Sequence, residues 1–333
     1  MIFFDEELSN IRLQRSLSGK GFEGVSGSCF SCDIHTDIEI PEGAEIEFLS
    51  FTLPTFKITK SVIRNGVVSI TAYDRTNDLN IPFDYSGYEQ FEADGTAKWY
   101  PSTMIVGAIA NQCGFAVSGY SGRMSELCYL DFAGKTCRDI LTELSRVDVG
   151  YWYQSADNSL AFRAFSSPSD GFEIAPEKRS EIELRGSKTI TGIYAEDTVY
   201  GDTYHTGSPW ENTERLSGRY LSEAIVQDMA GQILGSGGQY VYYGWSCGAA
   251  LVDSVNDIGD CVKCSGRLLP ILSADYRFEG IGIIAALSAP DADNGLGEYT
   301  DLYSRMIEGT VPKDKSLGMQ FFSDSSSGFR IEV

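Results

Sequence analysis

Short runs of alternating apolar and polar residues dominate the first quarter of the chain. Asp37-Ile38-Glu39-Ile40 alternates, Pro41-Glu42-Gly43-Ala44 turns, and Glu45-Ile46-Glu47-Phe48 alternates again, which predicts a hairpin. A strand near Phe56 to Ile63, the tight turn Arg64-Asn65-Gly66 and a strand from Val67 to Tyr73 predict another, because Asn-Gly supplies the positive φ angles such a turn requires. A meander of short strands has to cover its edges, so residues 1–88 are expected to form a small closed or nearly closed β-barrel.

The period then lengthens. Pro101 and Ser102 can start a helix in which Met104, Ile105, Ala108 and Ile109 form an apolar stripe, with Gly114 just past its end. Met104 and Trp99 read as core. A second helix opens at Thr136, with Asp139 three residues on as in a capping box, and carries Ile140, Leu144 and Val147 on one face. Gly150 closes it. The aromatic strand Tyr151-Trp152-Tyr153 follows, and Leu160 to Phe165 returns across the polar turn Ser155-Ala156-Asp157-Asn158. Residues 89–168 thus read as a small α/β domain.

Ser166 to Pro176 has the composition of a linker. Beyond it, strands are expected at Glu181 to Leu184, Thr189 to Tyr194, Tyr240 to Trp245, Cys261 to Cys264 and Arg267 to Ala285. One helix bears Leu221, Ile225, Met229 and Ile233, and Gly235-Ser236-Gly237-Gly238 stops it. That glycine run follows a helix instead of opening one and has no Lys-Ser/Thr after it, so it is not read as a phosphate loop. Residues 169–289 are expected to be a second β-barrel domain with one helix, and 290–333 a C-terminal arm. Its end, Gly328 to Val333, suits pairing with a neighbouring subunit's sheet edge or a frayed tail. The fold class expected is therefore α+β and β-rich, with two small barrels flanking an α/β domain.

Composition narrows the chemistry. A net charge of −21 repels polyanions and disfavours tight nucleic-acid binding. The amino terminus lacks a signal-peptide pattern and no apolar run reaches transmembrane length, so folding in the cytosol without a membrane segment is expected. Cytosolic cysteines are expected to be reduced. Cys29 with Cys32, and Cys261 with Cys264, have the C-x-x-C spacing of zinc sites, and His35 could add a ligand to the first pair. Residues i and i+3 of a strand point to opposite faces, however, so the cysteines are read as core and no metal or cofactor is expected.

The segment Lys135–Phe165, in which T-C-R-D-I-L precedes G-Y-W and D-N-S-L-A-F-R, resembles part of the tail hub proteins of long-tailed bacteriophages and prophages, the late control gene D-like family. Gly66–Arg75 resembles that family's G-x-V-x-I-T-A-Y-D-R strand, Pro82-Phe83-Asp84-Tyr85 its P-F-D-Y segment, and Ile258-Gly259-Asp260-Cys261-Val262 the x-G-D-x-V entry to a late strand. The resemblance implies a virion structural protein of the baseplate hub or tail tip. It implies a homotrimer whose two tail-tube-like barrels per subunit match a six-fold tail tube to a three-fold tip. Expected partners are the distal tail or tail tube protein, the tape measure protein and a spike or fibre, with DNA passing an acidic channel without specific binding. A DNA-free phage-like particle could use the same hub.

No catalytic residue is expected. His35 and His205 are a sparse supply of general base, no Ser or Cys nucleophile motif surrounds them, and Asp74-Arg75 reads as a turn cap or structural ion pair. The alternatives are a carbohydrate-binding tail-tip protein with Trp210 and Tyr204 as its platform, and a peptidoglycan hydrolase.

Overall fold

The computed structural model describes residues 2–4, 8–18, 23–48, 52–122, 126–166, 168–207, 212–218, 221–279, 282–291 and 328–332. The fold is α+β and β-rich. Its first part supplies β1 (Ile2–Phe4), β2 (Leu8–Ser18), β3 (Gly24–His35), β4 (Glu45–Phe48), β5 (Phe56–Arg64) and β6 (Val67–Asp74). The middle holds β7 (Trp99–Pro101), α1 (Ser102–Cys113), β8 (Val117–Ser118), β9 (Glu126–Cys128), α2 (Tyr129–Phe132), α3 (Cys137–Asp148), β10 (Gly150–Gln154) and β11 (Leu160–Ala164). Then follow β12 (Ile182–Ile190), β13 (Gly192–Asp197), β14 (Thr203–Gly207), β15 (Thr213–Gly218), α4 (Glu223–Leu234) and β16 (Tyr240–Val252). The remaining strands are β17 (Cys261–Cys264), β18 (Arg267–Pro270), β19 (Ser273–Glu279), β20 (Gly282–Ala289) and β21 (Gly328–Glu332).

One sheet runs through the molecule in the order β1-β21-β4-β5-β6-β3-β2-β19-β20-β16-β12. The long strand β2 joins its two halves, pairing with β3 along one side and with β19 along the other. Among the described residues the ladder does not close, so the two barrels expected from the sequence are not seen as separate rings. Their edges are covered differently: what would be the edge of the first half, β2, is taken by a strand of the second.

Strand alternation gives this sheet two distinct faces. One register line, Ile58, Ala72, Phe30, Leu13, Tyr276, Ala285 and Ala250, crosses both halves and is buried throughout. It belongs to a hydrophobic cluster that also takes in Trp245, Ile193 of β13 and Ile233 of α4. A second cluster, centred on Trp152, Phe83, Phe132, Ile105 and Ile140, is the core of the α/β module.

The local signals of that module hold. The Thr136 hydroxyl accepts from Asp139 N at 3.1 Å while the Asp139 carboxylate accepts from Thr136 N at 3.0 Å, completing the capping box. The left-handed cap at the end of α3 is Val149, with φ of 48°, and not the glycine after it. Gly150 is needed for space, since a Cβ there would press on Arg163 O and the Phe162 ring. Phe83 of the P-F-D-Y segment is core, edge-on to Phe132 with ring centroids 5.6 Å apart.

Other expectations are corrected. Asp37–Ile40 forms no strand: Thr36 Oγ1 accepts from Ile38 N, bending the chain, and β4 pairs with β5 instead. Ile38 is left exposed. In α1 the buried face is Ile105, Val106, Ile109, Ala110 and Cys113, so Met104 lies off the stripe and is 52% exposed. Leu221 precedes α4, where Ser222 caps the helix through Ile225 N. The arm's residues 292–327 lie outside the described residues, and β21 pairs with β1 and β4 of the same chain.

Candidate functional site

The face opposite the buried line carries many polar side chains in both halves, although the line through Arg277 continues into Ile284 and Leu251. Its registers run Lys60, Thr71, Ser31, Arg12 and Arg277 in one line, and Ser16, Ser273, Ser288, Ser246 and Glu183 in another. Side chains on this face are tied across strands. Arg12 clamps Asp275 of β19 with both guanidinium arms, Nε to Oδ1 being 2.7 Å, and Gln14 reaches the same carboxylate at 3.5 Å. Ser69 donates to Asp33 at 2.5 Å and Asn10 donates to its other oxygen at 2.6 Å. Charges of both signs are present, Lys57, Lys60, Arg12 and Arg277 against Asp33, Asp275 and Glu183. Glu45 and Glu47 of β4 are on this face as well, Glu45 opposite Lys57, while Asp37, Glu39 and Glu42 are exposed in the segment before β4.

A second organised region joins the α/β module to the sheet. Tyr151 of β10 donates to Ile258 O, Arg163 of β11 donates to the same carbonyl at 3.2 Å, and Arg163 pairs with Asp260 at 3.0 Å. From the sheet side Arg15 holds Asn256 O at 3.1 Å and Asp257 Oδ1 at 2.9 Å, while the Tyr276 hydroxyl accepts from Asn256 N at 3.0 Å. Gly259 lies under Tyr151 with φ of 89°, and a methyl there would overlap the Tyr151 hydroxyl. The Gly259-Asp260 motif is therefore a docking point for the module: the glycine admits the ring and the aspartate takes the arginine. Sequence reasoning singled out the motif without this role, which depends on a contact between residues distant in the chain.

Asp74-Arg75 is the turn cap expected. Asp74 accepts from Thr76 N at 3.1 Å and caps the short 3-10 helix Arg75–Asn80. Burial raises its pKa, while hydrogen bonds from Thr76 and Ser28 and the charges of Arg138 and Arg15 pull it down. Arg75 donates to Cys113 O at 2.8 Å and Gly114 O at 3.1 Å and stacks 4.6 Å over the Phe115 ring, stapling the end of α1.

The remaining candidates are dispersed. His35, exposed on β3, lies 3.0 Å from Ser9 Oγ, whereas His205 is on β14 of a separate three-stranded sheet. Cys29 and Cys32 fall on opposite faces of β3, both buried, and burial pushes the Cys29 and Cys261 thiols up to about 12. Among the described residues no group of three or more His, Cys, Asp and Glu is placed to share a metal. Tyr204 is half-buried against the main core, and Trp210 lies outside the described residues. Among the described residues the exposed aromatics are Phe91 and Tyr200. A cleft of about 310 Å³ lies between Phe172–Lys178 and Leu251–Asn256, with Glu173, Lys178 and Asp253 at its rim. No described helix is long and apolar enough to cross a membrane.

No protein-family model matches the chain, and no curated protein matches it. Among solved structures, the crystal structure of the 43 kDa tail protein of prophage MuSo2 from Shewanella oneidensis superposes with a TM-score of 0.56. Sequence identity is 14%, over 86% of this chain and 94% of that one. The chain shares the fold of a prophage tail protein. With so little identity the likeness speaks for the architecture, and it extends over both halves of the long sheet and the module between them.

Proposed function

We propose that the chain is a structural subunit of a phage or phage-like tail, placed in the hub of the baseplate or tail tip, and that it has no reaction chemistry of its own. Three copies form a ring. Each supplies two barrel-like halves, so that six sheet segments face a six-fold tail tube on one side and a three-fold tip on the other. The polar face of the long sheet is the inner wall of that ring. The observation that supports this reading most is the continuity of the sheet through β2 and β19: two halves joined in one copy are what a three-fold ring needs to present a nearly six-fold wall. Edge strands such as β12, which has β16 as its partner in the described sheet, are the natural places for neighbouring copies to meet.

On this reading the bore carries hydroxyls and charges of both signs, Asp33, Asp275, Glu183, Glu45 and Glu47 against Lys57, Lys60, Arg12 and Arg277, in keeping with the acidic wall that the resemblance implies. Arg12 is neutralised by Asp275, so it has little left to offer a phosphate, and DNA passes without the counterion release that drives sticking. The tail tube or distal tail protein, the tape measure protein and a spike or fibre are the partners, and the assembled protein is located in the virion. The likeness to a prophage tail protein favours the same class of particle.

Light scattering on the purified chain, followed by negative-stain imaging, tests the proposal. The expected result is a three-fold ring with a central bore, in which a gold label on Ser31→Cys decorates the inside. A monomer at every concentration, or a label on the outer rim, would overturn it.

A further inference from the structure

The chain contains two Asp-Gly pairs, and the fold treats them differently. With no side chain on the second residue, the backbone nitrogen of such a pair can come close to the aspartate's own carboxyl group. At Asp94-Gly95 the two groups are engaged elsewhere. The Gly95 nitrogen donates to Glu92 O at 3.0 Å, while Asp94 Oδ1 accepts from Thr96 N at 3.0 Å and from Thr96 Oγ1 at 2.7 Å. The bonds from Thr96 also hold the Asp94 carboxyl below the usual carboxylate range, which favours the charged form that a nucleophile attacks least readily. At Asp170-Gly171 the same two groups face each other. The Gly171 nitrogen donates to Asp170 Oδ1 at 2.8 Å, and Asp170 is exposed to water. Nitrogen and carboxyl are thus already within one hydrogen bond of each other, which is the positioning that a ring closure between them needs.

We propose that Asp170-Gly171 is a modification site, at which the fold promotes conversion of the aspartate to isoaspartate through a cyclic imide. The Gly171 nitrogen attacks Cγ of the protonated Asp170 carboxyl. The amide proton and the carboxyl hydroxyl leave as one water, and the nitrogen is then bonded to both Cγ and the backbone carbonyl carbon of Asp170. A second water opens the ring. Breaking the bond to Cγ restores aspartate, whereas breaking the bond to the backbone carbonyl leaves the main chain running through Cβ and Cγ, with a free carboxylate on Cα. One water is lost and one gained, and nothing is oxidised or reduced. The product adds a carbon to the main chain just before a fixed point: Phe172 N donates to Cys261 O at 3.1 Å, and Phe172 O accepts from Lys263 N at 2.8 Å. The lengthened segment is the one that leads from the α/β module to β12, so isomerisation slackens that connection. The step does not depend on the tail reading.

The full chain is aged at physiological temperature and near-neutral pH in water enriched in heavy oxygen, then digested and mapped by mass spectrometry with electron-transfer fragmentation. Each passage through the imide leaves one heavy oxygen at the aspartate, whichever bond reopens, and the fragmentation separates isoaspartate from aspartate. Label and isoaspartate should gather at Asp170 about ten-fold faster than at Asp94 in the folded chain. In urea the two rates should come close together, since both aspartates precede glycine. Asp170→Glu keeps the charge but needs a ring one atom larger, and should abolish the signal at position 170 without changing that at Asp94. Equal rates at Asp94 and Asp170 in the folded chain, an unlabelled Asp170, or a ratio that persists undiminished in urea would overturn the proposal.

Discussion

The two faces of the long sheet are made by the same strands, yet they follow different rules. On the inner face Leu13, Phe30, Tyr276 and Ala285 are wholly buried and each has a fixed volume to fill. On the outer face Ser31, Arg12, Asp275 and Ser69 meet solvent and one another through hydrogen bonds, and Arg12 and Asp275 keep about a quarter and a fifth of their side-chain surface exposed. The contrast teaches that the inner face holds the chain in shape, while side chains on the outer one are less bound by the packing of the core.

Substitutions can break or sharpen that contrast. Phe30→Ala on the inner face removes a ring packed against Phe48 and Phe56 and should cost ~3–5 kcal/mol in urea unfolding. Gly259→Ala, at the junction beneath that face, should cost ~1–3 kcal/mol through overlap with Tyr151. Because Tyr151→Phe removes the overlapped hydroxyl, the double variant should lose less than the sum of the single changes, and additive losses would show that the ring is not the obstacle.

Asp74 gives a pH test of the inner side. Its carboxyl holds a proton more tightly folded than unfolded, because burial outweighs its partners. Its contribution is complete below the ordinary carboxylate pKa of ~3.9 and is lost as the pH rises through the raised value. Unfolding free energies measured from about pH 4 to 7 should therefore fall less steeply for Asp74→Asn than for the natural chain. An identical slope would mean that Asp74 does not contribute. Arg12→Ala on the outer face should matter least, less than ~1 kcal/mol, since a partly exposed ion pair gains little over solvent. A loss as large as that of Phe30→Ala would erase the distinction between the faces.

Much of the local structure was legible. Thr136 and Asp139 announced α3, Asn65-Gly66 announced the turn between β5 and β6, and Asp74 was readable as a cap, because each depends on neighbours within a few residues. The union of the two halves was not. The alternation of Leu13 and Leu17 with Gln14 and Ser16 shows that β2 has two faces, but nothing in it says that β19 will lie along its second edge. Met104 misled because an apolar stripe can be drawn through it or one position beside it, and only packing decides. Gly259 was visible as part of a motif, while its reason, the Tyr151 ring, lies far away in sequence.

The pairing of β2 with β19 also sets a schedule for synthesis. Strand β2 must wait with one edge bare until residues 273–279 have left the ribosome, long after its partner β3 is in place. During that interval the nascent chain offers an open ladder of amide and carbonyl groups to any other extended segment nearby. Expression yield should then depend on how quickly translation proceeds through the second half and on chaperones that shield bare edges, more than on the final stability of the folded product.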